Sequence, residues 1–91
     1  GDFFAENTDV FMKEITEAIR LVASSELDEV QKKEVQSILE EAKESVQENS
    51  KEKASSSKNR FSTFLIFAGN TAQKLISALA GLTTIARFFG I

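Results

Sequence analysis

Apolar residues recur at helical spacing in three segments of the chain. In the first, about 2–24, Phe4, Phe11 and Ala18 share a face with Ile15 and Val22, and Phe3, Met12, Ile19 and Ala23 lie beside them. Asn7-Thr8-Asp9 offers a later helix start that leaves Phe3 and Phe4 in a loop, and the pattern leaves both starts open. A turn follows at Ser24-Ser25-Glu26-Leu27-Asp28. Asp28 and Gln31 have the spacing of a capping box, in which each side chain satisfies an orphan backbone N–H; Ser25 is the competing cap. The second segment, about 28–49, carries a narrow stripe of Val35, Ile38, Leu39, Ala42 and Val46, with Val30 near one edge. Its other positions are mostly Glu, Lys, Gln and Ser, and Glu29–Lys33 is an i,i+4 pair in the favourable order. This pattern predicts an outer helix with one buried face. Residues 50–59 hold one apolar side chain, Ala54, and a Ser run, which read as a flexible linker with Ser57 or Asn59 capping the next helix.

The third segment, about 60–89, is the most apolar. Phe61, Ala68, Leu75, Leu82 and Phe89 fall at spacings of seven, and Leu65, Ala72, Leu79 and Ala86 repeat the interval. Phe64, Ile66, Phe67, Ile76, Ile85 and Phe88 widen the stripe, while the remaining face is polar but mostly small. A helix apolar over most of its girth belongs at the centre of an assembly or in lipid. Gly69-Asn70 is a turn-type dipeptide, and Asn70 with Gln73 has capping-box spacing, so a break there is the competing reading. The unbroken heptad phase favours one helix.

Composition sharpens the picture by its zeros. The chain of 91 residues has no His, Cys, Trp, Tyr or Pro. Usual zinc sites, disulfides and Cys or Ser-His nucleophiles are excluded. Absence of Pro suits long helices. The net charge of −3 hides an asymmetry: all 14 acids lie at or before Glu52. Against seven basic residues they give −7 through Lys53, whereas Lys58, Arg60, Lys74 and Arg87 give the remainder +4. The leading Gly1 reads as a tag-removal scar, so a fragment of a longer protein is expected.

Candidate chemistry is sparse. Glu40, Glu41, Glu44 and Glu48 include i,i+4 neighbours, but no pocket-forming loop accompanies them, and they read as a solvated face. No EF-hand, di-iron or phosphate-loop motif occurs. Neither catalytic residues, a cofactor, a metal nor a small-molecule substrate is expected. The basic residues of the second half are too few and scattered for nucleic acid. A membrane role draws on the single charge, Lys74, in residues 61–86, although Asn70, Gln73 and Lys74 near the middle oppose a lone span.

The order is a helix, a Ser-Glu-Leu-Asp turn, an acidic helix, a Ser/Lys linker and an apolar helix ending in Phe88-Phe89-Gly90-Ile91. This layout resembles the C-terminal helical tails of certain uncharacterised bacterial proteins, including abortive-infection-type phage-defence proteins. It departs from them in lacking Pro in the linker. The resemblance implies a bacterial accessory domain, cytoplasmic, attached to a separate effector.

The expected fold is all-α: a three-helix bundle, or a helical hairpin plus a long C-terminal apolar helix, assembled as an oligomer. The expected function is non-enzymatic protein–protein interaction or oligomerisation through the third segment. Phe61, Phe64, Leu65, Leu75, Leu79, Leu82 and Phe89 are the candidates for interface and core together. The alternative is a membrane-interacting or pore-forming third helix, covered by the first two in the soluble form and membrane-associated otherwise.

Overall fold

The computed structural model describes the backbone of residues 3–91 and side chains from Thr8 onward. All its regular structure is helical: α1 (Phe3–Ala23), α2 (Glu29–Gln47), α3 (Lys51–Ala68), a 3-10 turn (Gly69–Ala72), α4 (Gln73–Ala80) and α5 (Thr83–Phe89). α1 starts at the earlier of its two candidate starts. Phe11, Ile15, Ala18 and Val22 are buried as their spacing predicts, while the side chains of Phe3 and Phe4 fall outside the described residues. The Asp28–Gln31 capping box starts α2: Asp28 Oδ1 accepts from the Gln31 N–H at 2.8 Å, and Gln31 Oε1 accepts from the Asp28 N–H at 3.2 Å. Ser25 instead donates to the Val22 carbonyl at the end of α1. Glu29 meets Lys32 at 3.9 Å rather than Lys33, and Lys32 also donates to the Ala23 carbonyl at 3.0 Å, neutralising an orphan acceptor at the α1 terminus.

Residues 50–59 are not a linker. Ser50 caps α3 by accepting from the Lys53 N–H at 3.1 Å, so the Ser run lies inside that helix rather than before it. The chain reverses over three residues. Asn49 takes φ +53°, the Ser50 N–H reaches the Ser45 carbonyl and the Asn49 N–H that of Val46, which is a Schellman end with Asn in the left-handed position. Ser45 and Ser57 are fully buried beside Ala42 and Ala54. Each hydroxyl bonds the carbonyl three residues back, Ser45 to Ala42 at 2.6 Å and Ser57 to Ala54 at 2.9 Å. Four small residues let the α2 and α3 backbones approach closely, and the back-bonded hydroxyls enter the core without an orphan donor. On the outside, Lys53 pairs with Glu44 at 3.1 Å and Glu48 at 2.9 Å. Arg60 pairs with Glu41 at 3.1 Å and Glu34 at 3.4 Å, and donates to Ser37 at 2.8 Å.

The third segment is also not one helix. Gly69 takes φ +55° and ψ −130°, ending α3, and Leu82, at ψ +96°, separates α4 from α5. An unbroken helix over 60–89 would be about 45 Å long, whereas the molecule measures 35 × 22 × 18 Å. The buried positions nevertheless keep helical spacing straight through the break: Phe61, Phe64, Ala68, Ala72, Leu75, Leu79. The heptad phase is therefore preserved while the direction changes.

The break gives the bundle its fourth side. α2 packs against both α1 and α3, whose backbones stay apart among the described residues. α4 lies on α1, and α5 lies between α1 and α3. A run of rings records this closure: Phe11 of α1 stands 5.2 Å from Phe88, Phe88 4.8 Å from Phe89, and Phe89 4.6 Å from Phe61 of α3. The Lys58 ammonium sits 4.9 Å over the Phe88 ring.

Candidate functional site

The seven residues singled out in the sequence are distributed between the core and its margin. Phe61, Phe64, Leu75 and Leu79 are buried, and Leu65, Leu82 and Phe89 are half-buried against the same core. Together they close the bundle on α1 and α2, so none of the seven is a fully exposed docking residue.

Exposed apolar surface lies elsewhere: Val30 of α2 stands alone, and an adjacent pair lies on α3. Ile66 and Phe67, in the last turn of α3, are 80% and 84% exposed. On the helix they project on either side of the outward direction, while Phe64 and Ala68 turn inward. Their exposed neighbours Asn59, Ser62, Thr63 and Asn70 are all uncharged. The one charge between residues 59 and 70 is Arg60, which turns toward Glu34 and Glu41 of α2. In a chain that is 27% charged, this makes a coherent uncharged strip with two large apolar side chains at its centre. Depletion of charge around large apolar groups is the compositional mark of an interface core. The sequence places both residues in the apolar helix but does not separate them from the buried ones. The separating signal is spacing: they fall off the Phe61, Phe64, Ala68, Ala72 register.

Two polar features lie elsewhere on the molecule. A cavity of about 260 Å³ lies between the α1–α2 turn and α4, lined by Leu21, Ser24, Leu27, Thr71, Lys74 and Leu75 among others. Its polar groups look inward: the Ser24 hydroxyl bonds the Arg20 and Leu21 carbonyls, and Thr71 that of Ala68 at 2.7 Å. Lys74 meets Glu26 at 3.2 Å on the rim, where both side chains are largely exposed. The second feature is Glu14 of α1, whose Oε1 accepts from the Thr84 N–H at 2.9 Å, the Thr84 hydroxyl at 2.7 Å and the Ile85 N–H at 3.2 Å. Leu82 cannot cap α5 with its own side chain, so a carboxylate 70 residues away supplies both the acceptor and the negative charge that a helix start favours.

The titration of Lys53 is moved by its two carboxylate neighbours. Its hydrogen bonds to Glu48 and then Glu44 hold the ammonium above the usual lysine value. Among the described residues, no group of three or more acidic side chains is placed to hold a metal ion, no buried side-chain nitrogen or oxygen lacks a hydrogen-bond partner, and no helix is long and apolar enough to cross a membrane. No family model matches the chain, and neither a curated protein nor a solved structure is detectably similar to it.

Proposed function

We propose that this chain is a non-enzymatic helical interaction domain that self-associates through the outer face of the last turn of α3. The observation that carries this reading is the exposed Ile66–Phe67 pair within an uncharged strip. Full burial of a large apolar side chain is worth about 1.5–3 kcal/mol, so two from each copy of a symmetric dimer supply about 6–12 kcal/mol. Association costs at least about 4 kcal/mol. The balance of about 2–8 kcal/mol corresponds to dissociation constants from about micromolar to tens of millimolar. The assembly is thus a weak one, sensitive to concentration and to a tether.

Light scattering over a dilution series tests it. The native chain should rise from its monomer mass of 10.1 kDa toward twice that value. Ile66→Ser with Phe67→Ser should hold it at the monomer mass with its helicity unchanged. A double variant that associates as well as the native chain would remove the proposal.

A membrane surface is the competing partner, and the same exposed pair is the observation that favours it. Flotation with neutral and anionic vesicles separates the two: lipid binding by the native chain, without a change of mass in solution, would favour the membrane reading. The bacterial accessory role implied by the resemblance stands beside either reading.

A further inference from the structure

The exposed Ile66–Phe67 pair lies just before Gly69, where the third segment first turns back on itself. That coincidence has a structural consequence. We propose that the α4–α5 arm, residues 73–91, is an exchangeable element: the joint at Gly69 straightens, and the arm of one copy closes the bundle of a second copy in return for its own. The inference rests on the self-association reading and names its partner and its geometry.

Three observations carry it. First, the buried register is continuous across the break, so α3 and α4 can join into one helix over 51–80 without moving any apolar residue to the wrong face. Second, the bend rests on Gly69 and on one side-chain bond across it, from the Thr71 hydroxyl to the Ala68 carbonyl. The Gly69 φ of +55° with ψ −130° is a conformation that side-chain-bearing residues rarely adopt, no side chain caps the start of α4, and α4 packs on α1 rather than on α3. Third, the arm fills a defined place. It is the fourth side of the bundle, and removing it bares Phe11 of α1 and Phe61 of α3, which its own rings cover. The occupant that fits the vacated groove is another copy of the same arm, because every contact is reproduced. In a two-fold exchange the two joints pass beside each other, which brings Ile66 and Phe67 of each chain toward their counterparts. These residues are the two most exposed large apolar side chains among the described residues of the closed monomer. Exchange therefore preserves the closed contacts, adds burial of the Ile66–Phe67 pair and removes the Gly69 conformation that disfavours a side chain.

The chain carries its own reporter. Lys74 on the arm meets Glu26 on the body at 3.2 Å, and both are exposed, so a carbodiimide joins them as an amide with loss of water. In a closed monomer the amide forms within one chain, and in the exchanged dimer it forms between two. Light and ¹⁵N-labelled chains are unfolded together, refolded, concentrated and cross-linked, and the dimer fraction is digested for mass spectrometry. Isotope-mixed Lys74–Glu26 peptides are the expected result. Gly69→Ala should lower the concentration of half-dimerisation at least tenfold. Asn70→Ala with Thr71→Ala, at two exposed positions, should move it in the same direction by favouring helix across the joint, and this variant decides the matter if Gly69→Ala does not fold. A dimer whose Lys74–Glu26 peptides are all of one isotope overturns the exchange and leaves self-association standing. A chain that stays monomeric throughout the series, with both joint variants, overturns both.

Discussion

Glu14 is the most informative single position for stability, because one carboxylate oxygen holds together the two ends of the chain. It accepts from two backbone N–H groups and one hydroxyl at the start of α5. Thr84 and Ile85 are buried, so their N–H groups have little access to water if the carboxylate is removed. Loss of a helix cap costs about 0.5–2 kcal/mol, and a buried donor left without a partner about 1–3 kcal/mol. The α5 amides sit at a helix start, where partial rearrangement admits water. These terms overlap, and we work with about 2–3 kcal/mol for Glu14→Ala. The gain in helix propensity from Ala returns only a few tenths of a kcal/mol. At about 4–8 °C per kcal/mol for a domain of this size, the melting temperature should fall by roughly 8–24 °C. Glu14→Gln keeps an amide oxygen as acceptor but loses the charge, and should cost about 1 kcal/mol. Urea unfolding followed by circular dichroism gives all three free energies. An Ala variant within about 0.5 kcal/mol of the native chain, the range of ordinary surface changes, would refute the cap.

Ser57→Leu should destabilise by about 1–3 kcal/mol, since the side chain enters the close α2–α3 contact where Ser57 is fully buried; a flexible segment would show no change in urea unfolding. Leu79→Ala should cost about 2–5 kcal/mol, as Leu79 is wholly buried, and thermal melts at fixed concentration check it. Ile66→Ser and Phe67→Ser should each shift stability at low concentration by less than about 0.5 kcal/mol, because both residues are exposed. Lys53 has a folded-state pKa raised above its ordinary value of 10.5. Its contribution is therefore present at neutral pH and is lost as pH rises through the folded value. Melting temperatures between pH 9 and pH 11.5 should show a small alkaline loss that Lys53→Met removes.

The helical content, the α1 face, the α2 stripe and the Asp28 cap are legible in the sequence because each rests on local spacing. Residues 50–59 mislead because Ser is read by its habit of competing with the backbone in turns. Here that same hydroxyl is satisfied within the helix, and what selects Ser is its size at a close helix crossing, a property of the partner helix. The third segment misleads differently. Its heptad phase is real, but phase records which face is buried and says nothing of direction. One left-handed glycine turns the axis while the phase runs on. Breaking the helix gives up a few backbone hydrogen bonds, worth about 0.5–1.5 kcal/mol each. The fold gains burial of Leu75, Leu79, Ile85 and Phe88 in the closed bundle, at about 1.5–3 kcal/mol each. That comparison requires knowing that α1 and α3 leave a fourth side open, which no local window contains. The exposed pair leaves a trace in the spacing, because Ile66 and Phe67 fall off the Phe61, Phe64, Ala68, Ala72 register, but a stripe this wide obscures it until the bundle is assembled.

The cap and the joint act on the same arm and should be separable. Glu14 holds Thr84 and Ile85 whether they belong to its own chain or to an exchanged one, so Glu14→Ala lowers monomer and exchanged dimer alike, once per chain. The ratio of the two at a given concentration should stay within about threefold of native, while interconversion becomes faster because less is lost on opening the arm. Gly69→Ala acts in the opposite way. It penalises only the closed turn, by about 1–3 kcal/mol for a side chain in a sparsely populated conformation, and per dimer that penalty counts twice. Two substitutions with similar effects on melting temperature should therefore have different effects on assembly. Sedimentation velocity gives the ratio, and the rate at which light and ¹⁵N-labelled chains mix gives the exchange. A Glu14→Ala chain whose monomer-to-dimer ratio moves by more than tenfold would mean that the contact is not conserved between the two forms, and that the arm does not dock in the second copy as it does in its own.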